Sequence, residues 1–173
     1  MAIETFLPNA GGDQTGIAYQ HPSEDEHWDK VDDPVSDGNA TYVYTALLGG
    51  QKDLYNIPLH TTLGSPTIEK IEICVIVRSV TGLCMSQCLI KTYGTRYEKT
   101  NTVASTSWAT RCQEWVNNPY TEGPWTWDEI DALQIGVDLS DYDELSTQNR
   151  CTRVWCNVYY EELPPELGRS FFM

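Results

Sequence analysis

Apolar and polar residues alternate over short stretches of this chain, and a period of two is the mark of a β-strand. Residues 71–77, IEICVIV, show it best: Ile71, Ile73, Val75 and Val77 fall on one face, Glu72, Cys74 and Ile76 on the other. Turn residues bracket this run, with Gly64-Ser65-Pro66 before it and Thr81-Gly82 after it. The same reasoning predicts strands over 27–32, 41–47, 84–92, 107–116, 134–139 and 150–160. In the last of these Thr152, Val154, Cys156, Val158 and Tyr160 share one face, so Cys151 and Cys156 are expected on opposite faces. Many short strands punctuated by Gly, Asn, Pro and Asp predict an all-β sandwich or barrel.

One helical turn interrupts the pattern. Thr126 is a good N-cap and Glu129 stands three residues later, which makes a capping box. Asp128 and Glu129 suit the positive end of the helix, and Ile130 and Leu133 are spaced to face the core. The segment is short, so it is expected to close one end of the sandwich.

Length and charge narrow the picture. The 173 residues suit one domain with arms at either end. The net charge is −14, from 25 acidic and 11 basic residues, which disfavours nucleic acid and anionic membranes as partners. Nine acidic residues and a single lysine fall in residues 1–39, so residues 1–26 are read as an acidic N-terminal arm. The body spans residues 27–160 and a C-terminal tail spans 161–173. Pro164-Pro165 cannot continue a strand ladder, and the tail ends in Phe171, Phe172 and Met173, read either as a fraying end or as a docking element for a neighbouring subunit. No apolar run is long enough to span a bilayer, and the start lacks the basic and apolar regions of an export signal.

Candidate chemistry is sparse. Cys84 and Cys88 are too far apart along a strand to share a zinc ion or to bond each other, and no CxxC pair exists. Buried free thiols are the expectation for the six cysteines, with cross-strand disulfides left open. His21, His27 and His60 pair with no nucleophile in a known motif, and GxSxG, HExxH, Walker and GxGxxG signatures are absent. The chain is therefore read as a non-enzyme without a cofactor. Asp138, Asp141 and Asp143, with Glu144, form a weak oxygen-ligand set for Ca²⁺, without EF-hand spacing. Six Trp and ten Tyr are many for the length; Trp125 and Trp127 could stack on sugar, anchor a protein interface or roof the end of the core, the last being the reading for Trp127, which opens the capped turn. Asn39-Ala40-Thr41 matches a glycosylation sequon.

Several segments taken in order carry a resemblance: HWDKVDD (27–33), DGNATYVYT (37–45), DLYNI (53–57), TIEKIEICVIVR (67–78), WTWDEIDALQIGV (125–137) and CTRVWCNVYY (151–160). This succession resembles a jelly-roll β-sandwich domain of virion structural proteins of tailed bacteriophages and archaeal viruses, and WTWDEIDALQIGV carries most of it. The resemblance implies an all-β jelly roll with extended N- and C-terminal arms. It implies a capsid decoration, turret, head-fibre or minor tail role, assembled in the host cytoplasm as a homo-oligomer, commonly a trimer, on major capsid or other virion proteins. Phe171, Phe172, Met173, Trp125 and Tyr120 are the expected interface residues. The alternative reading is a carbohydrate-binding domain for host-surface glycan, which predicts a face or loop with exposed coplanar aromatics.

Overall fold

The alternating run at 71–77 is the centre of a longer strand that crosses the whole molecule. The computed structural model describes residues 1–45, 49–80, 85–99, 102–103, 105–141 and 148–162. In chain order the strands are β1 (Ala2–Phe6), β2 (Ala10–Thr15), β3 (Tyr19–His21), β4 (Tyr42–Thr45), β5 (Gly49–Asn56) and β6 (Ile68–Ser79). They continue with β7 (Met85–Thr92), β8 (Thr95–Glu98), β9 (Thr102–Val103), β10 (Ala109–Trp115), β11 (Gln134–Asp141) and β12 (Asn149–Tyr160). A 3-10 turn spans His27–Lys30, and the one α-helix among the described residues, α1, spans Trp127–Asp131.

These strands form a jelly-roll β-sandwich of two antiparallel sheets. The first runs β10-β6-β12-β4-β3, with β1 beside the far end of β12. The second runs β2-β5-β11-β7-β8, with β9 beside β7. The core lies between the layers. Ile71, Ile73, Val75 and Val77 of β6 and Val154, Cys156 and Val158 of β12 meet Ile135, Val137 and Leu139 of β11 and Ile90 of β7. Each of these is almost fully buried, and each contributes on the order of 1.5–3 kcal/mol of apolar transfer.

The helical turn forms as its sequence dictates. Glu129 N–H donates to Thr126 Oγ1 at 3.3 Å, and Thr126 N–H donates to Glu129 Oε2 at 2.9 Å. Ile130 and Leu133 are buried beneath it, so the turn plugs one end of the sandwich.

Four expectations need correction. Residues 27–32 are not a strand: His27–Lys30 coils as a 3-10 turn, because Trp28 and Val31, three apart, then both reach the core. The acidic segment 1–26 is extended as expected, yet it does not stand apart from the body. Its strands pair as β1 with β12, β2 with β5 and β3 with β4, and Phe6 and Ile17 are buried. Cys151 and Cys156 share the core side, because a bulge between Cys151 and Arg153 inserts Thr152 and shifts the alternation by one. Finally, Cys74 of β6 faces Cys112 of β10 in register, and the two form a disulfide, whereas Cys88, Cys151 and Cys156 are free and buried.

Candidate functional site

The end of the sandwich that holds α1 also holds the β7–β8 hairpin and the loop between β10 and α1. Tyr93 and Gly94 form the two-residue hairpin turn, both with positive φ (49° and 76°). That geometry matches the twist of the flanking strands and aims the Tyr93 ring outward at the rim. Tyr120 comes from the β10–α1 loop, and Asn118 fixes its position. The Asn118 side chain is fully buried; its Nδ2 donates to Thr92 Oγ1 at 3.2 Å, and its Oδ1 accepts from Tyr120 N–H at 2.9 Å. The Asn118 backbone also bonds Gly123 and Glu122, which closes the loop upon itself. Asn118 thus ties the tyrosine-bearing loop to the residue preceding Tyr93.

The result is a stacked pair. The Tyr93 and Tyr120 rings lie 4.6 Å apart between centroids and 14° from parallel. Both remain more than half exposed, at 58% and 52%. Tyr93 Oη donates to Glu129 Oε1 at 3.2 Å, while the other carboxylate oxygen holds the cap of α1. That hydrogen bond, with partial desolvation and the Glu129 charge, pushes the Tyr93 phenol above its ordinary value. A groove of about 270 Å³ lies beside the ring, lined by Thr92, Tyr93, Thr126, Asp128, Glu129 and Ala132. On the other flank of Tyr93 a smaller depression is lined by Lys91, Asp13 and Gln134, with Lys91 ion-paired to Asp13. An exposed aromatic platform between two polar depressions can take a ring with one apolar face and hydroxyls at its edge.

Of the residues singled out from sequence, Tyr120 belongs to this rim. Trp125 does not offer a docking face: it is buried, and its Nε1–H donates to Trp115 O at 3.0 Å. Trp127 is buried likewise and donates to Pro66 O at 2.8 Å. The two indoles roof the core because the capped turn folds them inward. Asp138 is engaged by Lys52 at 2.8 Å and by Ser140 at 3.3 Å, so its carboxylate is not free for Ca²⁺. Asp141 ends β11, and Asp143, Phe171, Phe172 and Met173 lie outside the described residues. His27 pairs with Asp53, and His60 with Asp131 at 2.8 Å. Among the described residues one cluster has metal-ligand spacing, Glu72 with Cys74 and Cys112, and there the two sulfurs are already joined to each other. No helix among them is long and apolar enough to cross a membrane.

Sequence reasoning missed Tyr93, Asn118 and Glu129 as site residues. The Tyr93-Gly94 pair between two strand-like runs was a readable hairpin signal, but nothing local places Asn118 against Thr92.

No family model and no curated protein matches the sequence. Several solved structures superpose on much of the chain with low scores. The carbohydrate-binding module CBM35 from Cellvibrio japonicus Abf62 superposes with a TM-score of 0.45 at 9% identity, covering 92% of this chain and 95% of that one. The C-terminal CBM6 of LamC from Zobellia galactanivorans gives 0.45 at 13% identity, covering 91% and 100%. The apo form of a cyclase from Fischerella sp. gives 0.45 at 12% identity, covering 93% and 84%. At these identities and scores none of the three assigns this chain a function.

Proposed function

We propose that this chain is a non-catalytic glycan-binding module whose site is the rim built on Tyr93 and Tyr120. One observation carries the reading: two parallel tyrosine rings stand exposed beside a buried carboxylate, held there by a buried asparagine rather than by contact with the core. Leaving two large rings in water is unfavourable unless a partner covers them. A sugar supplies a C–H face for the ring and hydroxyls for Glu129, Asp128 and Thr126. The Cys74–Cys112 bond suits an oxidising setting, where extracellular glycans are met. The virion setting implied by the resemblance enters as a proposal of location: a decoration or attachment domain would present this rim to host-surface glycan.

The test is a glycan array followed by calorimetric titration of the best neutral oligosaccharide against the full chain, Tyr120→Ala and Asn118→Ala. Tyr120→Ala is expected to weaken binding by about tenfold or more, roughly 1.4 kcal/mol, with the fold intact by circular dichroism. Retained affinity in Tyr120→Ala, or an array without hits, defeats the reading.

A further inference from the structure

The outer face of the first sheet carries a second arrangement, far from the rim in kind. Strand register places Tyr19 of β3 opposite Tyr44 of β4, Tyr44 opposite Arg150 of β12, and Arg150 opposite Arg78 of β6. The row is aromatic at one end and cationic at the other. The Tyr19 and Tyr44 rings stack at 5.2 Å and 21°. Arg150 lies 4.6 Å from the Tyr42 ring centroid, Arg78 5.4 Å from Trp108, and, past the bulge, Arg153 4.4 Å from Trp155.

Two arginines directly opposed across strands repel each other. In a chain with 25 acidic residues the ordinary remedy is a carboxylate, and four of the five lysines take it: Lys30, Lys52, Lys70 and Lys91 each form an ion pair, while Lys99 donates to the Glu114 backbone carbonyl. The described arginines form no ion pair, and three of them gather on this face, where Arg153 feels only the more distant charge of Asp33. Among the described residues Arg78 donates to Asn39 Oδ1 at 3.3 Å and Arg150 donates to Gln148 Oε1 at 3.0 Å, both neutral acceptors, and neither arginine nor Arg153 has a carboxylate within 4 Å. The guanidiniums lie over aromatic rings, a contact that holds a cation in place without neutralising its charge.

We propose that this face is a second binding surface, for an acidic glycan, with Arg150 and Arg78 holding its uronate carboxylates and Tyr19 and Tyr44 stacking on its rings. Charge complementarity selects an anion. The stacked, partly exposed tyrosines in the same row select a polymer of rings over an acidic peptide. The choice of a saccharide rests on the glycan-binding reading above; the choice of an anion does not. Guanidinium pairs carboxylate through two parallel hydrogen bonds, so a uronate in this row would relieve the Arg78–Arg150 repulsion as it binds.

The experiment titrates the full chain with oligogalacturonate, its methyl ester, and oligoglutamate of matched length, at low and high salt. Oligogalacturonate binding is expected to fall about tenfold or more in Arg150→Gln and in Arg78→Gln, to weaken with salt, and to be unchanged in Tyr120→Ala. Arg150→Lys keeps the charge and loses the planar fork, and is expected to be intermediate; it serves as the reading if Arg150→Gln fails to fold. Equal binding of the methyl ester, equal binding of oligoglutamate, or unchanged affinity in the arginine variants overturns the proposal. Neutral-oligosaccharide binding lost in Tyr120→Ala, with no oligogalacturonate binding to the parent, would leave the rim reading standing while this one fell.

Discussion

His27 and Asp53 meet inside the sandwich: His27 Nδ1 lies 2.6 Å from Asp53 Oδ2, and the Asp53 side chain is fully buried. The carboxylate collects three further donors, Tyr55 Oη at 3.1 Å and the backbone N–H groups of Gly16 and Ile17 at 2.8 and 2.9 Å. Asp53 therefore secures the N-terminal segment to β5 through buried polar bonds. Asp53→Ala would strand three donors, since Gly16 N–H also donates to Lys52 O, and is expected to cost about 3–5 kcal/mol. His27→Ala removes one donor and is expected to cost about 1–2 kcal/mol. Urea denaturation of both variants decides this; a loss under about 1 kcal/mol for Asp53→Ala would show that water can take over these bonds.

Glu4 links the first strand to the loop after β5. Partial burial pushes its carboxyl up, but the Thr62 hydroxyl and the Thr61 and Thr62 donors outweigh burial and hold it below its ordinary value. A depressed carboxyl stabilises the fold above its unfolded value, and that contribution is lost as pH falls through the folded one. The Thr61 amide, which donates to Glu4 Oε1 at 2.6 Å, should thus lose protection relative to its intrinsic exchange rate as the medium is acidified below the ordinary glutamate range. Glu4→Gln should flatten that pH dependence in hydrogen-exchange NMR.

Glu129 serves both the helix cap and the rim. Its hydrogen bond is the chief reason the Tyr93 phenol is raised, so Glu129→Gln should bring the Tyr93 titration back toward the ordinary tyrosine value in ultraviolet difference spectra. A raised phenol favours the fold below its unfolded value and loses that contribution as pH climbs through the folded one. Glycan affinity should therefore drop in strong alkali, and at a lower pH in Glu129→Gln than in the parent. Thr126→Ala, which removes only the cap hydroxyl, should cost about 1 kcal/mol and leave that profile in place.

The described cysteines divide into one disulfide and three buried free thiols. Burial pushes the Cys88 thiol up to about 12, and pushes Cys151 and Cys156 up as well. Peptide mapping should find these three unalkylated in native protein under mildly alkaline conditions and alkylated once it is unfolded. Cys112→Ser opens a loop of 38 residues' separation and is expected to lower stability by about 2–4 kcal/mol. The parent treated with reductant should approach the same denaturation midpoint.

What could be read from the sequence follows from how local each signal is. The run at 71–77 and the T-W-D-E cap state their structures within a few residues, and both elements form there. The polar strands β1, β2 and β3 have no such signal: AIETF and AGGDQT become strands because β12 and β5 offer them edges, which is a long-range fact. The bulge at Thr152 is equally silent, since period two holds on either side of it and only the pairing with β4 and β6 reveals the extra residue. The site divides the same way. Tyr120 was visible as a loop aromatic, but its stacking on Tyr93 depends on Asn118 reaching Thr92, 26 positions earlier in the chain.

The opening stretch of the chain passes from the first layer to the second and back, contributing a strand each time. It behaves as a clasp over both layers. Trimming it would bare the β5 flank and half of β12 together, two ladders with unspent N–H and C=O groups, and sticky filaments rather than a smaller soluble domain would be the product. A protease cut within residues 2–21 would therefore open both layers at once.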